Sequence, residues 1–172
     1  MAGGAAHKST HEELIPLLDG NAIPDDVRKR AEVLVKRLTT PVRVTVIGPR
    51  STGKSTLVNL LLGGNLLDPR YQLPTTQFTF SGDVAACCTL ADGSKLDSIG
   101  FDTAKLANAS AVFIDAKLPL AALRKISVLE VVVGDAADDL PRALAWASPK
   151  TDIAIWCTET FSAAEQRIWE MP

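Results

Sequence analysis

Apolar residues recur along this chain at two spacings, and these spacings predict both helices and strands. Between Asp25 and Leu38 they return every three or four residues, which is typical of an amphipathic helix packed against a neighbour. Runs at 42–47, 128–133 and 152–157 are rich in Val and Ile, as strands buried on both faces are. A further strand is predicted at 111–114.

The segments between these strands carry helix and turn signals. Gly63 and Gly64 end a predicted helix over 54–62. Ser162 and Glu165 have the spacing of a capping box at the start of a last helix. The remaining predicted elements are an extended segment over 77–90, a hairpin turn at 91–94 and a helix over 138–146. Strands that alternate with helices predict an α/β sheet covered by helices on both faces, which is a three-layer sandwich.

Length and charge narrow the class of protein. The 172 residues divide into a loose tail over 1–10, a helical extension over 11–40 and a single α/β domain over 41–172. A net charge of −2 does not favour binding to nucleic acid or to an anionic membrane. No apolar run is long enough to span a bilayer, so any membrane contact is expected to be peripheral. Three cysteines without metal spacing favour a reducing cytoplasm.

The stretch GPRSTGKST at 48–56 carries the most specific chemistry in the chain. It matches the phosphate-binding pattern G-x-x-x-x-G-K-[ST], and it lies between a predicted strand and a predicted helix, as the pattern requires. In such a turn the backbone N–H groups and the positive end of the helix dipole bind phosphate. The residues expected to bind nucleotide are Gly48, Pro49, Arg50, Ser51, Thr52, Gly53, Lys54, Ser55 and Thr56.

Lys54 and Ser55 have distinct expected roles within this loop. Lys54 supplies a positive charge to the β- and γ-phosphates, and the Ser55 hydroxyl is a ligand for Mg²⁺. About twenty residues later, Thr75 and Thr76 follow Pro74 in a loop. In a switch GTPase a threonine at this place contacts Mg²⁺ and the γ-phosphate, so that the loop orders only around the triphosphate.

Taken together, the motif at 48–63 and the sequence LPTT at 73–76 resemble the beginning of a dynamin-like GTPase domain of the bacterial type. The resemblance covers about residues 25–170, and it implies GTP and Mg²⁺ as cofactors. It places Ser51 near the bond between the β- and γ-phosphates and makes Thr76 part of the catalytic machinery. It gives Arg50 a position where some large GTPases stabilise transition-state charge, although a solvent-facing role for Arg50 stays open.

A GTPase also needs an Asp-x-x-Gly segment, and two stretches compete for it. Asp97 has the matching glycine at Gly100 but follows a predicted hairpin arm. Asp135 follows a predicted core strand but lacks the glycine, and we prefer it as a metal residue beside Ser55, Thr75 and Thr76. The segment at 149–152 is close to a guanine-reading motif, yet it precedes a strand and is interpreted as a turn.

No other guanine-reading motif follows, so the domain is expected to be incomplete at its C-terminal side. Either the chain is part of a larger GTPase, or it is a small protein without base specificity. A missing sheet edge predicts self-association or pairing with a larger GTPase. The functions that stay open are a GTP-binding switch or slow GTPase, a P-loop ATPase, and a non-catalytic nucleotide-binding module.

Overall fold

The computed structural model describes residues 10–18, 23–134, 138–163 and 165–166. The chain divides into two compact units, Met1–Thr40 and Pro41–Pro172. The helices are α1 (Thr10–Leu18), α2 (Asp25–Thr39), α3 (Lys54–Leu62), α4 (Thr103–Ala107) and α5 (Asp139–Ala147), with 3₁₀ turns at Ala121–Arg124 and Ser148–Lys150. The strands are β1 (Val42–Gly48), β2 (Thr75–Phe80), β3 (Ala85–Leu90), β4 (Lys95–Ile99), β5 (Ala111–Leu118), β6 (Ile126–Val132) and β7 (Ile153–Trp156).

The first unit consists of α1 and α2. Arg28 on α2 donates a hydrogen bond from Nη1 to the Leu18 carbonyl oxygen at 2.8 Å. Two aspartates in the first turn of α2 and two basic residues in its last turn complement the helix dipole. No residue of α2 is buried, and Val33 and Leu34 are exposed. The helix that the sequence predicts over this segment is therefore present.

The second unit is built on a mixed seven-stranded sheet in the order β4-β3-β5-β2-β6-β1-β7. Strand β1 pairs in parallel with β6 on one side and with β7 on the other. Strand β2 runs antiparallel to β6, so that the first residues of β2 lie beside the carboxyl end of β6. This arrangement places the carboxyl end of β1, the carboxyl end of β6 and the first residues of β2 side by side.

Helices cover both faces of this sheet, as the sequence predicts. One core contains Val58 and Leu62 of α3, Leu106 of α4 and strand residues such as Phe78. The other core lies under α5, where Ala147 packs with strand residues Ile47, Leu129 and Val131 and with Val133, which directly follows β6. The fold is therefore an α/β sandwich, and alternate residues of β1 and β6 point into opposite cores.

Three details differ from the elements predicted from sequence. Residues 77–90 form two strands instead of one extended segment, because the turn at 81–84 interrupts them. Helix α4 was not predicted, since five residues are too few to show a periodic pattern. Strand β7 was predicted as a core strand, but it is an edge strand of the sheet, and Ile153 is 51% exposed.

Among the described residues, every helix is either too short or too polar to cross a bilayer.

Candidate functional site

The phosphate-binding motif begins at the carboxyl end of β1, where the backbone is tightly packed. The Cys157 N–H donates to the Ile47 carbonyl at 2.8 Å, which brings the chain after β7 against the end of β1. A side chain at Gly48 would overlap the Cys157 carbonyl oxygen. Only glycine fits here, so Gly48 allows the close approach of two backbones.

Gly53 and Ser51 form the turn that leads into α3. Gly53 has a φ of 82° and Ser51 a φ of 60°, both in the left-handed region. A Cβ at Gly53 would meet open space, so the backbone angle, not crowding, favours glycine at this position. The Thr52 hydroxyl donates to the Pro49 carbonyl at 2.9 Å and closes the turn. Helix α3 then begins at Lys54, with its positive end at this turn.

Lys54 is a buried cation at the centre of this turn, with 7% of its surface exposed. Its ammonium group donates a hydrogen bond to the Pro49 carbonyl oxygen. Burial lowers the pKa of Lys54, and the nearby Glu130 carboxylate opposes that effect. The side chain is thus held inside the loop by groups of the loop and of β6, at the place where a phosphate would take over from the Pro49 oxygen.

Glu130 on β6 is the acidic partner of this site, and the sequence analysis did not identify it. Its side chain is 5% exposed, and its Oε1 accepts a hydrogen bond from the Ser55 hydroxyl at 2.7 Å. Burial raises the pKa of Glu130, while the Ser55 hydrogen bond and the Lys54 charge act in the opposite direction. A carboxylate, a hydroxyl and an ammonium group therefore meet on one face of the sheet.

The two threonines of the predicted switch lie next to this cluster. Thr76 is directly opposite Glu130 in the β2–β6 pair, so the two side chains share a face of the sheet. Thr76 is fully buried, and its hydroxyl donates to the Pro74 carbonyl at 2.8 Å. The Thr75 hydroxyl accepts from the Val132 N–H at 3.1 Å. Both hydroxyls are therefore bonded to backbone groups in this conformation.

A cleft of about 250 Å³ opens in front of these residues. The predicted residues on its wall are Arg50, Ser51, Gly53, Lys54, Ser55 and Thr56, and the other lining residues are Pro69, Tyr71, Gln72, Leu73, Glu130 and Val132. The loop before β2 thus forms one wall of the cleft and the phosphate-binding turn forms the other. Thr75 and Thr76, which the sequence analysis placed in a loop, are the first two residues of β2 and do not line the cleft.

The sequence analysis gave two candidates for the Asp of the Asp-x-x-Gly segment, Asp135 and Asp97. Asp135 lies outside the described residues, so its role stays a prediction. The alternative, Asp97, is wrong, because it lies on β4, which is separated from β1 by β3, β5, β2 and β6. Its apparent motif belongs to a hairpin, in which Cys87 pairs with Asp97.

Ser55 and Glu130 have the chemistry that suits Mg²⁺. Magnesium prefers oxygen ligands, and proteins usually hold it with one or two carboxylates together with the phosphates of the substrate. Within the described residues no group of three His, Cys, Asp or Glu side chains forms a metal cluster. The pair Ser55 and Glu130 fits the nucleotide-dependent kind of Mg²⁺ site, and it does not form a closed protein cage.

One signal in the sequence pointed to Glu130. It is the single charged residue in the run of β-branched and aliphatic residues over 126–133, where a lone acid is costly to bury without a partner. Its hydrogen-bond partner, Ser55, lies on α3 and is not indicated by any local pattern, and the strand register places Val46 of β1 and Thr76 of β2 on either side of Glu130. That register places Glu130 on the same face as α3.

Comparisons with known proteins address the fold. No family model matches the sequence, and no curated protein matches it. Among the solved structures that are similar to it are two of an oligomerised bacterial dynamin pair that provides a mechanism for the long-range sensing and tethering of membranes. The first has a TM-score of 0.53 and 21% identity over 98% of this chain, and the second has a TM-score of 0.51 and 20% identity over 95%. In each case the chain spans 29% of the matched chain's length. The chain therefore has a dynamin-like α/β fold, and its motif over 48–56 lies between the carboxyl end of β1 and the start of α3.

Proposed function

We propose that this chain binds GTP together with Mg²⁺, as part of a dynamin-like switch or slow GTPase. The observation that carries the proposal is the contact between Ser55 and Glu130 beside the buried ammonium group of Lys54. A hydroxyl, an acid and a cation at the start of a helix are the groups that a triphosphate with its metal requires.

Binding begins with an exchange of partners inside the loop. The N–H groups between Gly48 and Lys54 turn toward the phosphates, and the Lys54 ammonium exchanges the Pro49 carbonyl for a phosphate oxygen. The Ser55 hydroxyl and the Glu130 carboxylate, which contact each other in this structure, are the groups that would hold Mg²⁺ beside the phosphates. When bound, Mg²⁺ neutralises charge on the β- and γ-phosphates.

Arg50 and Ser51 are the residues proposed to assist hydrolysis. Both line the cleft on the side of the phosphate-binding turn, where the reacting end of the triphosphate would lie. Slow turnover is expected, because the Thr76 hydroxyl is bonded to Pro74 and has to leave that bond before it can act on the γ-phosphate. The same bond supports a switch in which the loop over 65–76 rearranges with the triphosphate.

Assembly and location are further parts of the proposal. The exposed edge strand β7 supports self-association or pairing with a larger GTPase. The similar structures are of an oligomerised bacterial dynamin pair that tethers membranes, which supports assembly here and peripheral contact with a membrane. We propose a cytoplasmic location, in keeping with three free cysteines.

Calorimetric titration with GTP and with ATP, each in Mg²⁺ and in EDTA, tests the proposal. GTP is expected to bind with micromolar affinity in Mg²⁺ and more weakly in EDTA, and ATP is expected to bind more weakly than GTP. A preference for ATP would remove the GTPase assignment in favour of a P-loop ATPase. Tight binding of GTP without turnover would favour the non-catalytic module.

A further inference from the structure

We infer that Gln72, in the loop before β2, positions the water molecule that attacks the γ-phosphate. The inference rests on the proposed function, because it takes the place of the triphosphate from the motif over 48–56. It gives Gln72 part of the catalytic work that the sequence analysis gave to Thr76.

The two walls of the phosphate cleft have different places in the reaction. Transfer of a phosphoryl group to water is close to an in-line displacement, so the attacking and the leaving oxygen lie on opposite sides of the γ-phosphorus. The phosphate-binding turn and Lys54 form one wall, and they would hold the leaving side. The attacking water would therefore lie toward the other wall, to which the loop before β2 contributes Pro69 and the residues at 71–73.

Gln72 is the residue of that loop wall whose side chain is best suited to hold a water molecule. The side chains of Pro69 and Leu73 offer no hydrogen bond, and the ring of Tyr71 has the Arg70 guanidinium 5.9 Å from its centre. Gln72 is exposed, so water reaches its amide group. This amide offers an acceptor oxygen and two N–H donors without a charge that would repel phosphate.

Thr76 is poorly placed for the same task in this conformation. Its side chain is fully buried, and its hydroxyl donates to the Pro74 carbonyl at 2.8 Å. It does not line the cleft, whereas Gln72, four residues earlier, does. Gln72 can therefore reach a water at the γ-phosphate without first breaking a bond of this kind.

Local hydrogen bonds place Gln72 at the wall of the cleft. The Tyr71 N–H donates to the Asp68 carbonyl at 3.0 Å, and the Arg70 N–H donates to the Asp68 carboxylate at 2.9 Å. On the other side of Gln72, β2 begins at Thr75 and pairs with β6. These bonds hold Gln72 at the cleft before the triphosphate binds.

The step that Gln72 assists is the hydrolysis of GTP to GDP and phosphate. The Gln72 side-chain oxygen accepts a hydrogen bond from the water, and the water oxygen forms the new bond to the γ-phosphorus. The bond between the γ-phosphorus and the bridging oxygen breaks, and GDP leaves with that electron pair. The proton lost by the water passes to an oxygen of the released phosphate.

Single-turnover hydrolysis of GTP by Gln72→Ala, with calorimetric titration in parallel, tests the inference. We expect the rate constant for hydrolysis of bound GTP to fall about 100-fold, as it does when a reacting group loses its position. GTP affinity in Mg²⁺ is expected to stay unchanged, which a merely structural role would not predict. Gln77→Ala is the control, because Gln77 lies on β2 next to Thr76 in sequence and its side chain therefore points to the opposite face of the sheet.

The outcomes separate the inference from the proposed function. If Gln72→Ala hydrolyses bound GTP as fast as the unmodified protein, or loses only GTP affinity, Gln72 does not position the water. If the unmodified protein binds GTP without hydrolysing it, the inference fails while the phosphate site stands. If the unmodified protein does not bind GTP, the proposed function fails and the inference fails with it.

Discussion

Glu130 is the acidic residue of the candidate site that the sequence analysis did not identify. Its carboxylate is buried on β6, 2.7 Å from the Ser55 hydroxyl, and it opposes the effect of burial on the pKa of Lys54. A buried acid is costly without partners, and Glu130 has the Ser55 hydroxyl as a donor and the Lys54 charge nearby. We therefore assign to Glu130, as a hypothesis, the part that the sequence analysis gave to Asp135.

Glu130→Gln tests that part. Glutamine keeps the shape and still accepts from Ser55, but it removes the charge that favours Mg²⁺. GTP affinity in Mg²⁺ is expected to fall about tenfold, within the range for residues that support a metal site, and affinity in EDTA is expected to stay unchanged. Calorimetry in the two buffers measures the difference. Asp83→Asn is the control, since Asp83 is an exposed acid in the turn between β2 and β3. If Mg²⁺ raised GTP affinity by the same factor in Glu130→Gln and in the unmodified protein, Glu130 would have no role in binding the metal.

The close packing around Gly48 leads us to predict that a larger residue there destabilises the fold. A methyl group there would overlap the Cys157 carbonyl oxygen, and two paired backbones would have to move apart. Gly48→Ala is expected to lower the free energy of unfolding by about 3 kcal/mol, the upper part of the range for overpacking. Urea unfolding followed by circular dichroism measures it. Gly82→Ala, where nothing lies within 4 Å of the added carbon, is expected to change stability little. Similar unfolding midpoints for the two variants would contradict the packing argument.

At the scale of elements, the capping box at Ser162 and Glu165 is present. The Ser162 N–H donates to Glu165 at 2.8 Å, the Glu165 N–H donates to Ser162 at 3.2 Å, and the indole N–H of Trp156 donates to Glu165 at 3.0 Å. The hydrogen bond from the Ser162 backbone, with smaller contributions from the side chains of Ser162, Thr158 and Trp156, lowers the pKa of Glu165 to about 2. This carboxylate therefore joins the turn at Ser162 to the end of β7.

The lowered pKa of Glu165 predicts how stability depends on pH. Its carboxyl has a lower pKa in the folded chain than its ordinary value of 4.5, so the ionised form stabilises the fold. That contribution is complete above about pH 5 and is lost as the pH falls through 4.5 toward 2. Urea midpoints at pH 7 and pH 3 are expected to differ less in Glu165→Gln than in the unmodified protein. An equal loss of stability on acidification in both proteins would show that Glu165 does not contribute.

The sequence predicted elements where one physical signal dominated. Runs of Val and Ile predicted β1, β6 and β7, and the left-handed glycine at Gly63 ended α3 where expected. Helix α4 could not be predicted in this way, because its five residues bury little more than Leu106 and depend on Asp102 as a cap. The pairing of β2 with β6, which carries Thr76 to Glu130, is a long-range contact that no local pattern encodes.

At the scale of the whole molecule, the exposed edge strand β7 leads us to predict self-association. Strand β7 is an edge strand with an exposed Ile153, and unpaired edges of this kind tend to pair with another chain. We expect the mass measured by light scattering after size-exclusion chromatography to rise with protein concentration. Ile153→Lys is expected to shift it toward the monomer, whereas Val84→Lys, in the turn before β3, is not. A monomer at all concentrations would contradict self-association through β7.

The central claim is that the turn over 48–56 binds the triphosphate with the charge of Lys54, and one affinity measurement tests it most directly. Lys54→Ala is compared with Lys117→Ala by calorimetric titration with GTP in Mg²⁺, because Lys117 is an exposed lysine near the carboxyl end of β5, away from the phosphate-binding turn. Circular dichroism establishes that both variants are folded. Loss of a charged hydrogen bond to phosphate is expected to weaken binding about 10- to 100-fold in Lys54→Ala, with no change in Lys117→Ala. An unchanged affinity in folded Lys54→Ala would contradict the account.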